Sequence, residues 1–112
     1  MQLGEMAERE VFPGFHGRFV HSERMTFAWW RIEPGAEVPE HDHPHEQVVN
    51  VLEGRLSLTV AGEEMTLGPG EVVVIPGGVR HAAAGLAGGA RVLDVFAPVR
   101  EAYVFGPAKQ GG

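Results

Sequence analysis

The chain has 112 residues, no cysteine and a formal net charge of -6. That length allows one domain with one hydrophobic core. The charge excludes nucleic acid and anionic membrane surfaces as partners, since both require a basic face. Without cysteine there is no disulfide, no thiolate ligand and no thiol nucleophile. No apolar stretch approaches the roughly 18 residues that span a bilayer, and the polar, acidic start MQLGEMAERE is unlike a secretory leader, so a cytoplasmic location is expected.

Sixteen glycines and eight prolines punctuate short apolar runs, which is the pattern of strands joined by turns. Residues 11–20 are interrupted by Pro13, Gly14 and Gly17 and read as an edge strand or arm. Residues 25–32 (MTFAWWRI) form a strand stopped by Pro34-Gly35; Trp29 and Trp30 point to opposite faces, so one of them at most lines an interior. Residues 46–52 (EQVVNVL) and 55–60 (RLSLTV) are two strands separated by Glu53-Gly54, a hairpin or a tight corner. A turn at 61–63 leads to a short strand at 65–67. VVVI at 72–75 is a buried strand ending at Pro76-Gly77-Gly78. Residues 80–84 and 90–96 complete the set. No segment shows a helical period of useful length, and the final GPAKQGG reads as a disordered tail. The expected organisation is one domain, 1–112: an arm at about 1–24, a barrel at about 25–100 and a tail at about 106–112. Roughly eight or nine short strands imply an all-β sandwich or barrel.

The chemistry concentrates in HDHPHEQ, residues 41–47. Side chains two apart on a strand share a face, so His41 and His43 converge, and Gln47 has the same parity. His81 follows the Pro-Gly-Gly turn and is the natural fourth ligand. Imidazole suits Zn, Ni, Mn, Fe or Cu. A bulge after Pro44 would instead present Glu46. His45 either faces solvent or bonds a ligand from behind, while His16 and His21 read as ordinary polar positions. Three imidazoles and one amide leave an ion's charge uncompensated, which favours Lewis-acid over oxygen chemistry.

Two spaced patterns resemble the motifs of the cupin superfamily. The first runs Gly35, His41, His43, Gln47, Gly54, with Gln47 where the family usually has glutamate. The second runs Gly70, Pro76, Gly78, His81, with Gly85 replacing a terminal asparagine. The resemblance implies a cupin double-stranded β-helix, or jelly-roll barrel, holding one divalent transition metal. HPHEQVVNVLEG and LDVFAPVREAY further resemble the small pectin-degradation cupins that open 4,5-unsaturated uronate rings. That group implies a His-His-Gln-His metal set here, catalytic roles for Asp94 and Arg100, and substrate contacts from Phe96, Arg100 and, in the arm, Arg18. Asp94 facing an apolar barrel would have a raised pKa suited to proton transfer. The planar fork of Arg100 would grip a substrate carboxylate.

The function expected first is thus metal-dependent conversion of an unsaturated uronate to the linear 5-keto-4-deoxyuronate. The alternatives are a metal-dependent dioxygenase and a non-catalytic module binding a small sugar or metabolite. The partner is expected to be a small molecule, and the assembly a homodimer pairing through the apolar arm at 11–20.

Overall fold

The computed structural model describes residues 1–105; the tail expected at 106–112 lies outside them. After a 3-10 turn at Leu3–Glu5 come eight strands: β1 (Arg9–Phe12), β2 (Phe15–His21), β3 (Thr26–Ile32), β4 (Glu37–His41), β5 (Glu46–Val60), β6 (Glu63–Leu67), β7 (Val72–Ile75) and β8 (His81–Ala97). A short helix, α1 (Glu101–Phe105), ends the described chain. Among the described residues no helix is long and apolar enough to cross a membrane.

All pairings are antiparallel, and the backbone order is β1-β2-β3-β8-β5-β6, with β4 on β8 and β7 on β5. Two long strands belong to both walls of the barrel. The first half of β5 lies between β7 and the end of β8, with Gln47 opposite both Ile75 and Phe96. Its second half lies between β6 and the start of β8, with Leu58 opposite Met65 and Ala83. This is the expected jelly roll.

Four sequence expectations change. VVVI at 72–75, expected to be buried, is a strand with only Ile75 buried; Val72 and Val74 point outward, 56% and 54% exposed. The breaks at Glu53-Gly54 and at Leu86 to Gly89 do not end strands; they bend them, so four expected pieces become β5 and β8. The arm at 11–20 is a hairpin, because Pro13 and a left-handed Gly14 (φ 80°) reverse the chain. Residues after Pro98 form α1, which a proline followed by an acidic first turn can announce but which is too short to show a period.

The bend in β5 depends on one residue. Gly54 has φ +78°, and a Cβ there would lie 2.1 Å from the Gly89 carbonyl oxygen. Register shifts flank it between Val51 and Glu53 and between Gly54 and Leu56. Inside the fold, alternation on β3 buries Ala28, Trp30 and Ile32, which meet Val49, Val51, Leu56, Leu58, Val92 and Phe96 in one core. Substituting Gly54→Ala should destabilise the protein by about 3 kcal/mol or more through clash and left-handed strain combined. Gly62→Ala, where φ is also positive (83°) but the space is open, should cost only about 1 kcal/mol in chemical denaturation.

Candidate metal centre

His41 ends β4 and His81 opens β8, and the two are register partners across those strands. His43 sits in the link between β4 and β5, and Gln47 is the second residue of β5. The link is held by the turn beneath it. The Gly78 N–H donates to the His43 carbonyl (2.8 Å). Gly77 approaches so closely that a Cβ would lie 2.3 Å from the Pro44 carbonyl oxygen. The Pro-Gly-Gly turn thus shapes the loop bearing one histidine as well as leading to another.

Each of the three imidazoles is fixed by its own backbone. Nδ1–H of His41 donates to Pro39 O (2.9 Å), that of His43 to His45 O (3.1 Å) and that of His81 to Val79 O (2.9 Å). A carbonyl can only accept, so each ring must carry its proton on Nδ1 and present a bare Nε2. One ring nitrogen from each histidine lies within 4.8 Å of the other two, in a grouping that can hold a metal ion. His81 Nε2 is buried and has no hydrogen-bond partner. His43 Nε2 faces the Gln47 amide oxygen at 3.1 Å, two lone pairs turned toward each other with no proton between them. An orphaned acceptor and a facing pair of acceptors are what a cation would satisfy, so the residues fit a metal. Burial lowers the pKa of His43 to about 4, with the charges of Arg100 and His81 adding to the effect. Burial likewise depresses His81. Both rings are neutral at physiological pH, the state that binds metal.

These side chains line a cavity of about 50 Å3 shared with Asp94, Phe96, Trp30 and Tyr103. The Asp94 carboxyl is pushed up to about 7 by burial. The Gln47 amide and the Trp30 indole oppose that rise; Trp30 Nε1–H donates to Oδ2 (3.0 Å), whereas no hydrogen bond of normal length reaches Oδ1. Of the tryptophan pair, Trp30 is the inward one, and Trp29 stacks on Phe27 outside. Glu46 is exposed on the opposite face of β5, so the strand is regular here and Gln47 is the residue turned inward.

Arg100 is buried at 9 % exposure rather than solvated. Its guanidinium carbon stands 5.8 Å from the Phe96 ring centroid and 5.1 Å from that of Tyr103. Its backbone N–H is held by the Thr26 hydroxyl (2.9 Å). Arg18 is not brought to the cavity. Even-numbered positions of β2 face outward, and Arg18 donates to Met6 O (2.8 Å) and pairs with Glu8 (3.6 Å). His45 is buried, not solvated; Nε2–H reaches Val99 O (3.1 Å) and Glu101 (3.2 Å), tying the loop that bears His43 to α1. His16 pairs with Glu33 (2.5 Å) and His21 with the Thr26 hydroxyl (2.8 Å).

The sequence reading missed Tyr103, which α1 inserts between Phe19, Trp30 and Phe96. The chain's single tyrosine, four residues past Val99, was the available signal.

The family described as Cupin domain matches residues 28–96. The chain belongs to the cupin family. This cupin is 30% identical over 92 residues to the uncharacterized protein SCO3923 of Streptomyces coelicolor, covering 82% of this chain and 88% of that one. Its fold is similar to that of KdgF from Halomonas sp. (TM-score 0.84, 27% identity, 89% of this chain and 93% of the other). It is also similar to an RmlC-like cupin from Shewanella frigidimarina (TM-score 0.86, 25% identity, 92% and 93%).

Two measurements test the site in this cupin. Replacing His81→Ala should lower zinc affinity at least about 100-fold, and the zinc-induced rise in melting temperature should vanish. The second concerns Tyr103, whose pKa burial raises to about 12 from 10.0. Because the folded pKa of this acid is raised, its contribution to stability should be intact below pH 10 and lost between pH 10 and about 12. Ultraviolet titration should show the single phenol ionising near the upper value when folded and near the lower in denaturant.

Proposed function

We propose that this cupin is a metal-dependent enzyme that opens the ring of a 4,5-unsaturated uronate, giving the linear 5-keto-4-deoxyuronate. The observation that carries this reading is the buried guanidinium of Arg100. Its Nε has no partner, and it enters no salt bridge among the described residues. A buried cation without a counterion is costly, and a substrate carboxylate would relieve that cost with a bidentate, charge-assisted contact. The resemblance of HPHEQVVNVLEG and LDVFAPVREAY to the uronate ring-opening cupins supports the same substrate class.

His41, His43, His81 and the Gln47 amide oxygen would hold the ion, with Zn, Ni, Mn and Fe all compatible with this donor set. Bound there among neutral ligands, it would act as a Lewis acid on a hydroxyl or carbonyl oxygen. The overall change is an isomerisation. The bond from the hemiacetal carbon to the ring oxygen breaks, that carbon becomes an aldehyde, and the released C4–C5 enol gains a proton at C4 while its hydroxyl loses one. Asp94 suits this exchange. Its carboxyl titrates near neutrality, lies beside Gln47 and is oriented by the Trp30 indole. Phe96 packs against the His43 ring at 5.7 Å and keeps water from that side. The cavity admits the reacting edge of the sugar rather than its whole ring.

The test is loss of alkene absorbance when metal-loaded protein meets 4,5-unsaturated galacturonate. Asp94→Asn should cut kcat by about 100-fold with KM little changed. Arg100→Ala should raise KM by about 10- to 100-fold, the effect of one lost charge-assisted contact. No acceleration with any of the four metals would sink the proposal.

A further inference from the structure

Arg100 reaches the cavity from a segment that belongs to no strand or helix. β8 ends at Ala97, α1 begins at Glu101, and residues 98–100 lie between them. Both backbone groups of Arg100 are nevertheless fixed. The Tyr103 N–H donates to the Arg100 carbonyl (3.0 Å), closing the first turn of α1. The Arg100 N–H donates to Thr26 Oγ1 (2.9 Å). Thr26 opens β3 and is fully buried. It stands in register between His21 and Phe96, the residue whose ring faces the Arg100 guanidinium. An N–H can only donate, so the Thr26 oxygen accepts from Arg100 and its own proton must go elsewhere. His21 Nδ1, exposed at the end of β2, is 2.8 Å from the same oxygen and takes that proton when bare. The His21 ring also faces the Tyr103 carbonyl, to which Arg9 donates. Residues of the N-terminal hairpin thus converge on the segment that carries Arg100.

We infer that Thr26, with its hydroxyl aligned by His21, is the positioning residue for Arg100 and sets where the guanidinium enters the cavity. The inference rests on the reading of Arg100 as the carboxylate grip. Neither the strand nor the core explains a hydroxyl at this place. The inward row of β3 is Thr26, Ala28, Trp30 and Ile32, so Thr26 is its one polar member. Valine has the same shape, suits a strand as well and needs no hydrogen-bond partner. What valine lacks is an acceptor for the Arg100 N–H, a donor at the root of a long, flexible side chain. The Phe96 and Tyr103 rings, 5.8 and 5.1 Å from the guanidinium carbon, hold its far end. Thr26 holds the near end. A bidentate contact with a carboxylate depends on the direction of the planar fork. A guanidinium fixed at both ends meets its partner already ordered, whereas a swinging one would have to be ordered at each binding event.

The first readout needs no substrate. The Arg100 Nε–H signal, assigned by its loss in Arg100→Ala, should show in nitrogen relaxation the same order as the barrel backbone. Thr26→Ser should keep that order and Thr26→Val should lose it. The second readout is turnover of 4,5-unsaturated galacturonate by the metal-loaded protein. Thr26→Val should raise KM about 10-fold, the effect of one buried donor left without its acceptor. Its kcat should stay within about 2-fold of the parent, and Thr26→Ser should restore KM. Added to Arg100→Ala, Thr26→Val should change KM no further, since the two act as one unit. A hydrogen bond that only supports the fold would instead lower kcat as well and would add to the Arg100→Ala effect. A parent that does not turn the sugar over sinks the ring-opening reading, and the relaxation experiment still decides the role of Thr26. An Arg100 Nε–H as ordered in Thr26→Val as in the parent overturns the inference, as does a KM increase that persists in the Arg100→Ala background. Should the valine variant not fold, His21→Ala, a change at an exposed position, should loosen the same Nε–H, and an unchanged signal there overturns the inference too.

Discussion

Everything at the centre of this protein depends on two antiparallel strands that bend where they pair. His81 and Phe96 stand at opposite ends of β8, which would separate them by about 50 Å in a straight strand. In the fold both lie against the His43 ring, at 4.9 and 5.7 Å. The closure is possible because Gly54 lets β5 turn against the Gly89 carbonyl, an approach that leaves no room for a side chain. A stiff strand at that point would leave two half-sites facing different directions. The chemistry and the topology are therefore one problem, solved by a backbone contact distant from every ligand.

What the sequence disclosed follows from how local each signal is. Strand alternation and turn residues act over a few positions, so the all-β class, the inward Gln47 and the paired histidines were legible. The choice between ending and bending a strand is made by its neighbour, and Gly54 reads the same in either case. That is why β5 and β8 were each seen as two pieces. Arg18 was assigned to the site by resemblance, but the β2–β3 register turns it outward beside Glu8. Tyr103 was invisible because its burial is created by Phe19, Trp30 and Phe96, all distant in sequence.

The interior combines charges that would be unfavourable separately. Three imidazoles and an amide surround one point, a carboxyl that burial draws toward its protonated form lies beside them, and a guanidinium lies behind an aromatic ring. Burial is the common cause: it depresses His43 and raises Asp94 by the same exclusion of water. The cavity thus holds one guanidinium without a counterion among the described residues and one carboxyl that burial draws toward its protonated form.

The bonds from each imidazole Nδ1–H to a carbonyl two residues away carry a further consequence. A free histidine has two tautomers and several ring orientations, and a metal that binds it must select among them. Here the strand and loop backbones make that selection three times during folding. The freedom is lost on folding, so an ion held there would meet three rings already oriented, each with the same ring nitrogen free.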